Sequence, residues 1–164
     1  MHLDVEVREF PAMELACIHH TGPYQGDQEL FGRLFGTLMQ WAGTQGCLNS
    51  PDLKILSLYY DDPETTEPAR QRMSVAITVP ENIPGEGQIE RMQLPAGTYA
   101  VARVEVLPDQ YGEAWQSLVG EWLPASGHHT ENRPSMEVYL NDPKQHPEGK
   151  HIVEMCLPVK AGPA

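Results

Sequence analysis

Residues 136–143 read MEVYLNDP, and residues 56–63, 80 positions earlier, read LSLYYDDP. Both stretches begin with residues typical of a β-strand and end in an Asp-Pro pair that favours a turn. A tyrosine stands three residues before each Asp-Pro pair. The main chemical difference lies in the strand, where Ser57 of the first stretch becomes Glu137 in the second.

The similarity extends over most of the chain. Four further pairs of landmarks match in the same order, at offsets that drift from 84 to 78: Pro11-Ala12 with Pro95-Ala96, Trp41 with Trp122, Gly46 with Gly127, and Val79-Pro80 with Leu157-Pro158. A run of matches in one order, at nearly one offset, predicts an internal duplication. The repeats cover about 3–80 and about 88–159.

Each repeat is predicted to form a ββαββ unit. Alternating or β-rich segments predict eight strands, at residues 3–10, 13–20, 53–60, 73–79, 88–94, 98–105, 135–140 and 152–159. Apolar residues at three- and four-residue spacing predict two main helices, at about 25–42 and 109–122. We therefore predict a single α+β domain over residues 1–164, pseudo-two-fold symmetric, with a central ligand groove between the copies.

The composition narrows the classes of function. The chain has 11 Lys and Arg against 23 Asp and Glu, a formal charge of -12, and no basic run. Direct binding to nucleic acid is therefore not expected, whereas an acidic surface attracts cationic ligands.

The sequence also predicts a cytoplasmic protein. The three cysteines (Cys17, Cys47 and Cys156) show no C-x-x-C spacing, and an odd number favours reduced, buried thiols over a disulfide framework. The N-terminal residues lack the features of a signal peptide, and no apolar run is long enough to span a membrane.

The duplication provides an internal control, because chemistry that differs between the copies is not required by the shared fold. Trp115 replaces Leu34, and Tyr99 replaces Leu15. In the strand of Glu137, the alternate apolar residues are expected to form the packing face, so Glu137 is expected to point away from it. A carboxylate partly withdrawn from water is stabilised by a positively charged partner.

Several segments are similar to a known family. They are TGPY at 21–24, LPAGTYAV at 94–101, EWLPASG at 121–127 and EVYLNDP at 137–143. They resemble the GyrI-like small-molecule-binding family, which includes the effector-binding domains of AraC-type and multidrug-responsive transcription regulators. The resemblance covers nearly the whole chain. Regulators in that family carry an added helix-turn-helix domain, so this chain is expected to be a stand-alone form.

The resemblance implies a duplicated α/β unit with a central groove. Family members commonly hold a glutamate on the penultimate strand that pairs with lipophilic cations among aromatic side chains, and Glu137 stands at the matching place. Tyr139, on the strand face of Glu137, is a candidate ligand-binding residue, and so are Trp115 and Tyr99, which differ between the copies, and Tyr24 of the Gly-Pro-Tyr segment. Core packing is the alternative role for each of these aromatic residues. Where the family repeats Gly-Pro-Tyr, residues 106–111 read VLPDQY.

No metal or other cofactor is expected. The adjacent residues His19 and His20 point to opposite faces of a strand, and His128-His129 is expected to lie in a turn, so neither pair has the spacing of a ligand set. No phosphate-binding loop, nucleophile motif or redox pair is present. The repeated Trp41 and Trp122 are predicted to be core residues.

Three functions remain open at this point. The first is binding of amphipathic, cationic, drug-like compounds, with Glu137 as counter-charge. The second, implied by the resemblance, is hydrolysis of strained electrophilic natural products, with Glu137 as general base and no other catalytic residue assigned. The third is a protein partner, either DNA gyrase or a separate transcription regulator. The oligomeric state stays open.

Overall fold

The computed structural model describes residues 1–161, which form two compact units. The N-terminal unit is Pro11–Pro95, and the C-terminal unit combines Met1–Phe10 with residues 96–161. The strands within residues 1–161 are β1 Val5–Phe10, β2 Met13–Thr21, β3 Ile55–Tyr59, β4 Arg72–Thr78, β5 Glu90–Leu94, β6 Gly97–Val106, β7 His128–Thr130, β8 Ser135–Tyr139 and β9 His151–Ala161. The helices are α1 Gln28–Thr44, α2 Tyr111–Gln116 and α3 Leu123–Ser126, with a π-helical segment, Ser117–Trp122, between the last two.

The N-terminal unit contains four antiparallel strands in the order β3-β4-β2-β5, with α1 on one face. The Asp27 side chain caps the helix by accepting a hydrogen bond from the backbone N–H of Leu30 at 3.0 Å. The apolar stripe of α1 packs on alternate residues of the central strands, and this core includes Leu30, Leu34, Leu38, Trp41, Ala16, Ile18, Met73, Val75 and Ile77. Burial of this stripe fixes the helix on the sheet.

The C-terminal unit has a corresponding arrangement. Its antiparallel strands run in the order β1-β6-β9-β8, and β7 pairs with the end of β9. The helical segment contributes Ala114 and Leu118 to a core with alternate residues of β6 and β9, namely Ala100, Ala102, Val104, Val106, Val153, Met155, Leu157 and Val159.

The opening strand of each sequence repeat lies in the compact unit that the other repeat forms. β1 begins the first repeat but pairs with β6, from Val5 opposite Ala102 to Phe10 opposite Gly97. β5 begins the second repeat but pairs with β2. The two strand orders therefore correspond when β5 is matched with β1, β2 with β6, β4 with β9, and β3 with β8.

The predicted α+β class and all eight predicted strands are confirmed, but residues 1–161 contain a ninth strand. The turn predicted at His128-His129 is wrong, because these residues lie in β7, with His128 opposite Ala161 and Thr130 opposite Val159. β7 is short and polar, so it lacks the apolar alternation that reveals a strand in sequence. Backbone pairing with the long β9 holds it in place.

The three cysteine side chains are all buried, as the sequence suggested. No helix within residues 1–161 combines the length and the hydropathy that crossing a bilayer requires.

Candidate functional site

Glu137 lies in the middle of β8 and is only 3 % exposed. It stands opposite Met155 of β9, while Tyr139 stands opposite Val153. Met155 and Val153 belong to the core under the helical segment, and directly paired residues of an antiparallel sheet share a face. Glu137 and Tyr139 therefore point toward the helix-covered face.

This orientation corrects the sequence-based prediction that Glu137 points away from the packing face. The alternate residues Met136 and Val138 are buried as well, on the other face of the strand. Both faces of β8 are thus covered at its centre. The apolar residues Met136 and Val138 mark one buried face in the sequence, but they do not show which of the two faces the helix covers.

Two aromatic residues donate hydrogen bonds to the Glu137 carboxylate. The indole Nε1 of Trp115 donates to Oε2 at 2.6 Å, and the hydroxyl of Tyr139 donates to Oε1 at 2.8 Å. Each carboxylate oxygen therefore accepts a hydrogen bond from a neutral donor. Bonds of this kind to a charged acceptor are stronger than those between neutral groups and reduce the cost of burying the carboxylate.

Comparison with the other unit shows that two sequence differences meet in this site. On β3, Ser57 is fully buried opposite Val75, on the face that α1 covers. Leu34, the counterpart of Trp115, belongs to that apolar core and carries no hydrogen-bond donor on its side chain. Serine and leucine in one copy become glutamate and tryptophan in the other, and the new pair forms a hydrogen bond.

Tyr111 and His151 extend the site beyond the residues that the sequence singled out. The Tyr111 hydroxyl and His151 Nδ1 share a hydrogen bond at 2.6 Å, and their rings lie nearly perpendicular with centroids 5.5 Å apart. Burial raises the pKa of Tyr111, and the negative charge of Glu137 raises it further. Burial lowers the pKa of His151.

A sequence signal for Tyr111 existed in its spacing. Tyr111 precedes Trp115 by four residues, so the two side chains lie on one face of α2. His151 had no such signal, because it is 40 residues away along the chain from Tyr111.

Tyr24 belongs to the N-terminal unit, where it is buried. Its ring stacks on Tyr59, with centroids 5.4 Å apart, and meets Phe31 edge-on at 6.4 Å. Tyr59 is the counterpart of Tyr139, so the repeated tyrosine stacks on an aromatic ring in one unit and donates to a carboxylate in the other.

Tyr99 lies on the opposite face of the C-terminal sheet from Glu137. Its strand neighbour Ala100 faces the helix-covered core, and side chains alternate along a strand. The Tyr99 ring packs 5.2 Å from Phe10, and the Arg133 guanidinium lies 5.0 Å from its centroid. Burial raises the pKa of Tyr99. The structure brings Trp115 and Tyr139 to Glu137, and it places Tyr99 in a separate aromatic and arginine cluster.

Each unit also carries a surface depression of about 360 to 370 Å³. One is lined by Thr37, Gln40, Trp41, Thr44 and residues 86–89, and the other by Leu123, Pro124 and residues 127–130. Neither lining includes Glu137. We consider the Glu137 group the better candidate site because it combines a buried charge with aromatic donors. Across the described chain, no group of three or more His, Cys, Asp or Glu residues could hold a metal ion.

The sequence model of one protein family, the GyrI-like small molecule binding domain, matches residues 3–160. The chain belongs to the GyrI-like family. Among its relatives, a DNA gyrase inhibitor of Edwardsiella piscicida is 28 % identical over 162 residues, which cover 96 % of this chain and 99 % of the relative. The family resemblance drawn from the sequence is therefore confirmed.

Solved structures show the same fold for this GyrI-like domain. The C-terminal domain of EcmrR matches with a TM-score of 0.81 at 16 % identity, covering 98 % of this chain and 99 % of that domain. SAV2435, in a structure bound to tetraphenylphosphonium, matches with a TM-score of 0.66 at 14 % identity, covering 96 % and 94 % of the two chains.

Proposed function

We propose that this GyrI-like domain binds amphipathic cations and that Glu137 supplies the counter-charge. The observation that carries the proposal is the buried Glu137 carboxylate with neutral donors on both oxygens, at a place where the matching strand has Ser57. The fold accepts a serine at that position, so folding alone does not require the carboxylate. A cation that reaches the carboxylate offsets part of the cost of its burial.

The aromatic residues around Glu137 favour the same class of ligand. Trp115, Tyr139 and Tyr111 are half-buried, so their rings combine apolar area with some access. A cation over an aromatic face gains about 0.5 to 2 kcal/mol, depending on desolvation. Flat, apolar cations should therefore bind better than anions of the same size. SAV2435, which shares the fold, supports this proposal because its structure holds tetraphenylphosphonium, a lipophilic cation.

The direct test measures binding of tetraphenylphosphonium by isothermal titration calorimetry. We expect Glu137→Gln, which keeps the shape but removes the charge, to lose at least about tenfold in affinity, or 1.4 kcal/mol. Glu105→Gln is the matched control, because Glu105 is an exposed glutamate of the same unit. Equal affinity of wild type and Glu137→Gln would contradict the proposal.

A neutral probe and a product analysis separate binding from hydrolysis. Triphenylphosphine oxide has similar rings without net charge, and it should bind weakly and be insensitive to Glu137→Gln. Strained electrophiles incubated with the protein should be recovered intact. Many turnovers per protein, abolished by Glu137→Gln, would instead assign hydrolysis with Glu137 as general base.

A second candidate function, interaction with DNA gyrase, is favoured by the relatives named DNA gyrase inhibitor, which align with this chain over nearly their full length. We expect the purified protein to reduce supercoiling by DNA gyrase if the two interact. The same assay with Glu137→Gln then shows whether the cation site takes part. Unchanged supercoiling at a large excess of the protein would exclude this function.

A further inference from the structure

A second group of polar side chains in the C-terminal unit is the hydrogen-bonded pair Tyr111 and His151. Tyr111 lies on α2 one turn before Trp115, whose indole binds the Glu137 carboxylate. His151 opens β9 two residues before Val153, which stands opposite Tyr139. Because side chains alternate along a strand, His151 shares the helix-covered face with Glu137.

Tyr111 interacts with both the imidazole and, electrostatically, the carboxylate. Its hydroxyl is 2.6 Å from His151 Nδ1, while the charge of Glu137 acts on the same phenol. Both Tyr111 and His151 are half-buried, so a proton from solvent can reach the pair.

Three charged groups near His151 along the chain or on neighbouring elements form ion pairs with other residues. Glu113 on α2 lies 3.8 Å from the N-terminal ammonium, Lys150 lies 3.4 Å from Glu148, and Glu105 on β6 pairs with His146. On β8 the charged group is Glu137, hydrogen-bonded to Trp115 and Tyr139. Among these groups, Glu137 is the one whose charge acts on Tyr111, the hydrogen-bond partner of His151.

We propose that protonation of His151 and binding of a cation at Glu137 oppose each other, with Tyr111 as the link. The inference rests on the proposed function, since it concerns the ligand of the same site. It makes His151 a positioning residue that sets the pH range in which the site accepts a cation.

Two physical effects act in the same direction. An imidazolium carries hydrogen on both nitrogens, so Nδ1–H donates to the Tyr111 oxygen, and the hydroxyl hydrogen turns away from the imidazole toward the field of Glu137. The positive charge of the imidazolium also repels a cationic ligand. Burial lowers the pKa of His151. The imidazole is therefore neutral near pH 7, and it gains its proton at a lower pH than an exposed histidine does.

The test measures tetraphenylphosphonium affinity between pH 7.5 and pH 5.0, a range that extends to low pH because burial lowers the pKa of His151. Wild type should weaken by about threefold or more as His151 gains its proton and the competent fraction falls. His151→Gln retains an acceptor for Tyr111 and should show a flat profile. His146→Gln is the control, because His146 pairs with Glu105 instead, and it should follow wild type. An unchanged slope in His151→Gln would overturn the inference.

A second measurement needs no ligand. An NMR titration of His151 in wild type and in Glu137→Gln tests the electrostatic link directly, because loss of the carboxylate charge should lower the pKa of His151 further. Equal pKa values would overturn the inference. Failure of tetraphenylphosphonium to bind at pH 7.5 would instead contradict the proposed function, and the NMR comparison would still decide the link.

Discussion

Glu137 and Ser57 occupy matching positions on matching strands, and each is buried. Burying a carboxylate costs far more free energy than burying a serine hydroxyl. The N-terminal unit has the serine at this position, so the shared fold does not need the carboxylate. The difference was visible in sequence because the duplication supplied a reference copy. The contact of Glu137 with Trp115 could not be seen there, since the two residues differ by 22 positions and lie on separate elements.

The hydrogen bond from Trp115 can be measured against a matched tryptophan. Trp115→Phe removes the donor to Glu137, and a hydrogen bond to a charged group contributes about 1.5 to 3 kcal/mol. Trp41→Phe is the control, because the buried Nε1 of Trp41 has no hydrogen-bond partner within residues 1–161. In urea unfolding, Trp115→Phe should lose about 1 kcal/mol or more beyond the loss in Trp41→Phe. Equal losses would show that the bond contributes little.

The Cys17 thiol should be unreactive in the folded protein. Burial raises the pKa of Cys17 to about 11, and the nearby charge of Glu90 adds to the effect. On the order of one Cys17 thiol in a thousand is then ionised at pH 8, and the thiolate is the reactive form. Mass spectrometry after iodoacetamide treatment should find Cys17 unmodified in native protein and modified in urea. Rapid native labelling would contradict this prediction.

At the scale of elements, the two helical segments differ although their apolar patterns are similar. α1 is a regular helix of 17 residues with a side-chain cap, whereas its counterpart contains the π-helical segment Ser117–Trp122 directly after α2. Apolar spacing predicts both helices but does not distinguish α from π geometry. π-helical turns are frequent at functional sites, and this one follows the turn that carries Trp115.

Two glycines of the first helical region should respond oppositely to alanine. A Cβ at either Gly36 or Gly46 meets no atom within 4 Å, so packing does not distinguish them. Gly36 lies inside α1, where alanine should stabilise by about 0.5 to 1 kcal/mol. Gly46 has φ of 72°, in the left-handed region, where alanine should cost about 1 kcal/mol. Thermal unfolding of both variants checks the signs, and a shared sign would contradict the backbone argument.

At the scale of the whole molecule, the sequence predicted which segments are strands but not all of their partners. Alternation reveals a strand because one face is buried, and that signal is the same whichever neighbour the strand pairs with. β1 and β5 were therefore predicted as strands, while their exchange between the repeats was not. For the same reason Tyr99 could be identified as a difference between copies, but its place on the face opposite Glu137 required the structure.

The exchange leads to a prediction about fragments. Residues 11–95 contain β2, α1, β3, β4 and β5, which form a contiguous four-stranded unit with its own apolar core. Residues 3–80, the first sequence repeat, keep β1 but lack its partner β6 and lose β5 from the edge of β2. The 11–95 fragment should therefore unfold cooperatively in thermal circular dichroism, because three or more strands packed on a helix can be stable alone.

The 3–80 fragment should unfold at lower temperature and with a broader transition, since β1 has no strand to pair with and the exposed edge of β2 invites association. The two fragments differ by only a few residues in length, so size does not account for the expected difference. A 3–80 fragment as stable as 11–95 would mean that β1 takes the place of β5 along β2. That outcome would show that either β1 or β5 can pair with the edge of β2. Chain connectivity alone would then not determine that β5 pairs with β2 and β1 with β6.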